Sequence, residues 1–211
     1  MNTLARRALF IVILFAAFGS TAGRAEDGWI PLFDGKTLTG WKVGQNAATF
    51  SVQDGAIVVF GRRAHLYYDG PVQQHNFTNF EIKLDVMTTP GSNSGIYFHT
   101  RYQDGGWPER GYEVQVNNSH TDPKRTGGLY DIQDNYDAPA RDNEWFTQHI
   151  VVRGKHITVS VNGKQIVDYT EPASRADGKS LRVLSSGTFA LQGHDPKSKV
   201  FYKNILVKPL P

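Results

Sequence analysis

The chain has 211 residues, 39% of them hydrophobic and 12% aromatic, enough to bury one sizeable core. It contains no cysteine, which excludes disulfides and thiol chemistry, and its formal charge is +3. Arg6, Arg7 and Arg24 supply that excess. Beyond residue 25 there are 20 basic and 20 acidic residues, which excludes the electrostatic footprint of a nucleic-acid binder.

Residues 1–25 read as a secretory leader, with a basic start, an apolar run over 8–18 and small residues ending at Ala25. The run is short for a bilayer span of ~20 residues. No later segment is apolar enough to cross. An exported protein, periplasmic or extracellular, is therefore expected, with residues 26–211 forming one domain.

Short β-rich runs follow, punctuated by turn signals. Residues 29–33 suggest an edge strand, closed by Asp34-Gly35-Lys36. Runs 50–53 and 56–60 flank Asp54-Gly55, a hairpin signal because a type I′ turn needs residues that tolerate positive φ. Strands are expected at 65–68 and 78–88, the second alternating Phe80, Ile82, Leu84 and Val86 against Glu81, Lys83 and Asp85.

Two further alternating segments follow. In the first, Ile96, Phe98 and Thr100 should share one face, with Tyr97, His99 and Arg101 on the other. In the second, Tyr112, Val114 and Val116 oppose Glu113, Gln115 and Asn117. If these strands share a sheet, one side is core. The other carries an imidazole, a guanidinium, a carboxylate and amides, beside a Gly-Gly-Trp-Pro loop. The plainer reading is a solvated outer face.

Residues 118–143 are loop-rich, and 144–153 resume a strand. Runs 156–161 and 165–169 flank Asn162-Gly163, a second hairpin signal. After an irregular 174–184, runs 187–192 and 199–208 close the set. Strands at this spacing predict an all-β fold, an antiparallel two-sheet β-sandwich.

Several fragments in order carry a resemblance. GWIPLFDGKTLTGWK is followed by NFEIKLDV, PGSNSGIYF, YEVQV, TGGLYD, EWFTQHIVVRGKHITVSVNGKQIVDY and GTFALQGHDPKSKVFYKNILVKPL. Together they resemble the 3-keto-disaccharide hydrolase domain family of exported bacterial proteins. The resemblance implies a concanavalin A-like jelly roll and cleavage of 3-keto-glycosides, with a carbohydrate as the partner. A non-catalytic, lectin-like carbohydrate-binding module is the alternative.

An ordinary glycosidase flanks the scissile bond with two carboxyl groups. The central strand offers Glu113, Gln115 and Asn117, only one of them an acid. A 3-keto sugar needs less. Its ketone acidifies the C2 hydrogen, so one base, one acid and donors for the enolate suffice for elimination, with or without hydration. Glu113 or His99 is the candidate base, Arg101 the group polarising the ketone, and His194 the second acid/base. Tyr97, Gln115, Asn117 and Trp107 are candidate sugar contacts. Arg125 and Tyr130 join them from the segment that matches the family's TGxxY region. Asp131, Asp134 and Asp137 offer oxygen ligands for a Ca²⁺, but the EF-hand glycine and terminal glutamate are absent, so they read as solvated acids. The histidines lack zinc-type spacing, and no cofactor is expected.

Overall fold

Alternation of apolar and polar residues produces thirteen strands among the described residues of the computed structural model, 28–176 and 181–211. The expected leader lies outside the described residues. The strands are β1 (Ile30–Pro31), β2 (Trp41–Val43), β3 (Phe50–Gln53), β4 (Ala56–Phe60), β5 (Ala64–Tyr68), β6 (Phe80–Thr88) and β7 (Ser94–Thr100). The remainder are β8 (Tyr112–Val116), β9 (Phe146–Arg153), β10 (His156–Val161), β11 (Lys164–Thr170), β12 (Thr188–Gly193) and β13 (Lys199–Pro209).

They form two antiparallel sheets. The larger runs β11-β10-β9-β6-β13-β4-β3, with β1 added along β13. The smaller runs β2-β5-β12-β7-β8. Both hairpin signals hold. Asp54 and Gly55 take φ of 51° and 77°, and Asn162 and Gly163 take 49° and 78°, as a type I′ turn requires. The expected first strand is only two residues long, because Pro31 lacks the N–H that would extend a ladder.

The core fills the space between the sheets. Phe80, Ile82, Leu84 and Val86 of β6 and Ile150 and Val152 of β9 meet Ile96 and Phe98 of β7 and Val114 and Val116 of β8. Burying each such side chain contributes roughly 1.5–3 kcal/mol. This packing fixes the register of β7 against β8, since a slip of one residue would turn every apolar group outward. The register pairs Tyr97 with Glu113 and Gly95 with Gln115.

Candidate functional site

The outer face of the small sheet is hollowed and roofed by loops. One of them, 126–130, runs beside β8 as an irregular extra strand. Gly127 N–H donates to the Gln115 carbonyl, Gln115 N–H to the Gly128 carbonyl and Tyr130 N–H to the Glu113 carbonyl, each at 2.9 Å. This lays Tyr130 along the rim of a cavity of about 430 Å³, lined among others by Tyr97, Glu113, Gln115, Trp107, Arg182 and His194. The volume suits a small ligand such as a sugar.

Glu113 is the centre of this cavity. Its carboxyl accepts the Tyr97 hydroxyl at 2.6 Å and the Gln192 amide at 2.8 Å. It has room only because residue 95 is glycine; a Cβ there would stand 2.3 Å from Oε1. Glu113 is 5% exposed. Loss of water pushes its pKa above the usual carboxylate range, and the hydrogen bonds from Tyr97 and Gln192 only partly offset that. Burial and the neighbouring Glu113 likewise push the Tyr97 phenol far up, so Tyr97 is a neutral donor.

His194 lines the same cavity, just past the end of β12. Its Nδ1 is 2.9 Å from Asp195 Oδ2. That carboxylate also accepts the Ser198 hydroxyl and the backbone N–H groups of Lys197 and Ser198. Burial opposes ionisation of Asp195, but the bonds from Ser198, His194 and Lys197 prevail and hold its pKa at about 2. A carboxylate only accepts, so Nδ1 of His194 carries the proton, and in the neutral ring Nε2 keeps its lone pair. Trp107 packs on this histidine with ring centroids 5.5 Å apart.

The other expected site residues divide. Gln115 lines the cavity and donates to Asn93 Oδ1 at 3.2 Å. Tyr130 lines it with Lys124 Nζ 3.9 Å over its ring. Asn117 instead ties the adjoining loop, donating to the carbonyls of Asp122 and Lys124 and accepting from His120 N–H. Arg125 is a clasp in the same loop, donating to Asn117 Oδ1 and to the carbonyls of His120 and Asp122. Neither reaches the cavity wall.

His99 and Arg101 correct the expected shared face. Thr100 pairs with Thr188 and Tyr97 with Ala190, so Phe98 and His99 together oppose Phe189. This bulge puts His99 at φ +54° and breaks the alternation. Its backbone is crowded by Gly111 and Gly187, where a Cβ would fall 2.0 Å from the Phe98 carbonyl and 2.3 Å from that of Thr100. The imidazole consequently turns into the core, against Phe80 and Phe98. Ser185 N–H donates to Nδ1 at 3.2 Å, so Nε2 carries the proton and donates to the Thr78 carbonyl at 2.9 Å. Burial lowers its pKa to about 4. Arg101, past the bulge, leaves the strand and lines a different cavity.

Arg182 supplies the positive charge at the Glu113 cavity. Its guanidinium is 3.8 Å from Asp131 and lies over the Tyr130 ring at 5.8 Å. Nothing in the irregular 174–184 stretch marked it. Gln192 was legible: it alternates with Ala190 on β12, opposite Phe189 and Leu191.

Among the described residues, one trio has metal-ligand chemistry. His120, His194 and Asp195 have ligand atoms within 4.8 Å of one another. Two of the three are engaged, since Asp122 N–H donates to His120 Nδ1 at 3.0 Å and Asp195 takes four hydrogen bonds, which leaves Nε2 of His194 as the open donor atom. Asp131 and Asp134 both pair with Lys124.

Comparison with known proteins adds four findings. The family model described as the 3-keto-alpha-glucoside-1,2-lyase-like domain matches residues 28–208. A 3-keto-disaccharide hydrolase of Bacteroides thetaiotaomicron is 27% identical over 172 residues, 68% of this chain. The alignment spans 59% of that relative's length. A candidate glycosyl hydrolase from Parabacteroides distasonis superposes with a TM-score of 0.72 at 24% identity, covering 88% of this chain and 95% of the other. The carbohydrate-binding module CBM66 from Bacillus subtilis shares the fold at a TM-score of 0.57 and 13% identity, covering 80% and 95%.

Proposed function

Because the chain belongs to the 3-keto-alpha-glucoside-1,2-lyase-like domain family, we propose that it cleaves the glycosidic bond of 3-keto-glycosides in the Glu113 cavity. The observation that carries this reading is the pairing of two titratable groups in one cavity with opposed surroundings. Glu113 is held toward its neutral acid form by burial, and His194 is held by Asp195 with a free Nε2. That is the acid and the base an elimination needs.

The steps follow from the chemistry of a 3-keto sugar. His194 Nε2 takes the C2 proton, and the C–H electron pair moves into the ketone as an enolate. The Arg182 guanidinium faces the cavity as a charge-stabilising donor. The enolate collapses, the C1–O bond breaks, and the departing oxygen takes the Glu113 proton. Water added across the new double bond gives the hydrated sugar. The Trp107 ring is 42% exposed and offers a face for the sugar to stack on. The leader pattern of residues 1–25 supports action outside the cytoplasm.

Purified protein incubated with a 3-keto-glucoside bearing a chromogenic leaving group should release that group, whereas the unoxidised glucoside should stay intact. Binding of both with release of neither would establish the lectin-like alternative instead.

A further inference from the structure

The small sheet carries a second hollow at the other end of the same face. It encloses about 350 Å³ and shares no lining residue with the Glu113 cavity. Gln192 and Thr188 mark the two ends along β12; four residues at ~3.3 Å each separate them by roughly 13 Å. Tyr67, Tyr97 and Ala190 form the buried ridge between the hollows.

The wall of this second hollow holds polar groups that the fold does not use. Tyr67 is buried overall, but it lines the hollow, and its hydroxyl has no hydrogen-bond partner among the described residues. The Thr100 hydroxyl is wholly buried and also lacks a partner. Arg101 has neither an ion pair nor a hydrogen bond among the described residues. A buried hydroxyl without a partner is costly and calls for an explanation. One rim is formed by Gln74 and His75, which with Gln73 make three successive non-glycine residues at φ of 50°, 52° and 47°. Such backbone is uncommon and gathers at ligand sites.

We propose that this hollow is a second carbohydrate site, which holds a neutral pyranose apart from the reacting one. A sugar ring presents both donors and acceptors around its edge. Arg101 supplies donors, Asp69 an acceptor, and the Gln74 and Asn76 amides supply both. Tyr102 is 37% exposed and meets Tyr67 edge-on at 5.4 Å, which gives an aromatic surface for the C–H face of the ring. A phosphate or carboxylate ligand would meet Asp69, so the balance of charge favours an uncharged polyol. The proposal rests on the reading that this sheet face takes sugar, and it is independent of turnover by Glu113 and His194.

The test is a titration of the isotopically labelled protein with methyl α-D-glucopyranoside, which lacks the ketone and is not consumed, read by backbone amide shifts. The amides of Thr100, Gly187 and Thr188 should move, with their own saturation curve, separate from that of Gln115, Gln192 and His194. Tyr67→Phe combined with Arg101→Ala should weaken the Thr100 set about tenfold or more, the loss expected of two hydrogen bonds. The Gln192 set should keep its affinity, which also shows that the variant is folded. A Thr100 set that stays still, or that saturates identically in the variant, overturns the proposal. Movement of the Thr100 set without the Gln192 set would sustain it and count against the proposed function.

Discussion

The two sheets are built from similar strands but differ on their outer faces. In the large sheet, β6 and β9 alternate buried and half-exposed residues along nearly their whole length. In the small sheet, every residue of β5, β7, β8 and β12 is buried. Loops roof its second face, so His65, Glu113, Gln115 and Gln192 are polar groups taken out of water. The difference teaches where to look: a solvated face charges little for its polar residues, whereas a covered polar face must be compensated by partners or by function.

Substitutions on the covered face should therefore alter chemistry or folding, and those on the open face neither. The largest effect is expected at the cavity. Glu113→Gln or His194→Ala should lower kcat on a 3-keto-glucoside by about 10²–10⁴-fold. Thermal melts of His194→Ala should stay near the parent's. For Glu113→Gln the sign with pH is definite. A raised folded pKa means that Glu113 contributes stability below its ordinary 4.5, and that this is lost as pH rises through the folded value. The Gln variant should thus gain on the parent in melts at higher pH. Parallel melting curves across that range would contradict the burial argument.

Asp195→Asn is expected to come next. An amide N–H toward His194 Nδ1 would force the proton onto Nε2, removing the base without removing the ring, and kcat should fall about 10²-fold. If activity is unchanged at every pH, the dyad has no role.

His99 separates the two faces most directly, because it lies on the small sheet yet points into the core. His99→Ala should leave the Thr78 carbonyl and Ser185 N–H unpaired and cost about 2–4 kcal/mol in denaturant unfolding. Turnover per folded molecule should hold. In the parent, the folded pKa of about 4 lies below the ordinary 6.5, so the His99 contribution is complete above 6.5 and is lost as pH falls toward 4. That loss amounts to about 3 kcal/mol. His65, lowered by burial to about 3, acts in the same direction. An acid titration of stability that is flat from 6.5 to 4 would refute both assignments.

The smallest effect belongs to the open face. Glu81 there accepts from Arg153 at 3.0 Å and lies 3.2 Å from His149. Glu81→Ala should change stability by no more than about 1 kcal/mol, because a solvent-exposed partner screens the pair. Activity should not respond.

How much of this was legible in the chain depends on range. The Asp54-Gly55 and Asn162-Gly163 turns, the alternation of β6 and the Tyr97/Glu113 face are local, set by backbone sterics and a period of two. The sequence by itself determined these, and with them the sandwich, the polar strand and the family. Only the tertiary structure decided the membership of the site. The bulge that sends His99 inward depends on β12 lying beside β7, with Gly111 and Gly187 admitting the displaced carbonyls. Arg182 meets Glu113 across some seventy residues of chain, and Asp195 acts by orienting a neighbour. Such meetings are fixed by which strands pair and what their packing leaves open, and no period of two or turn preference within one segment encodes them.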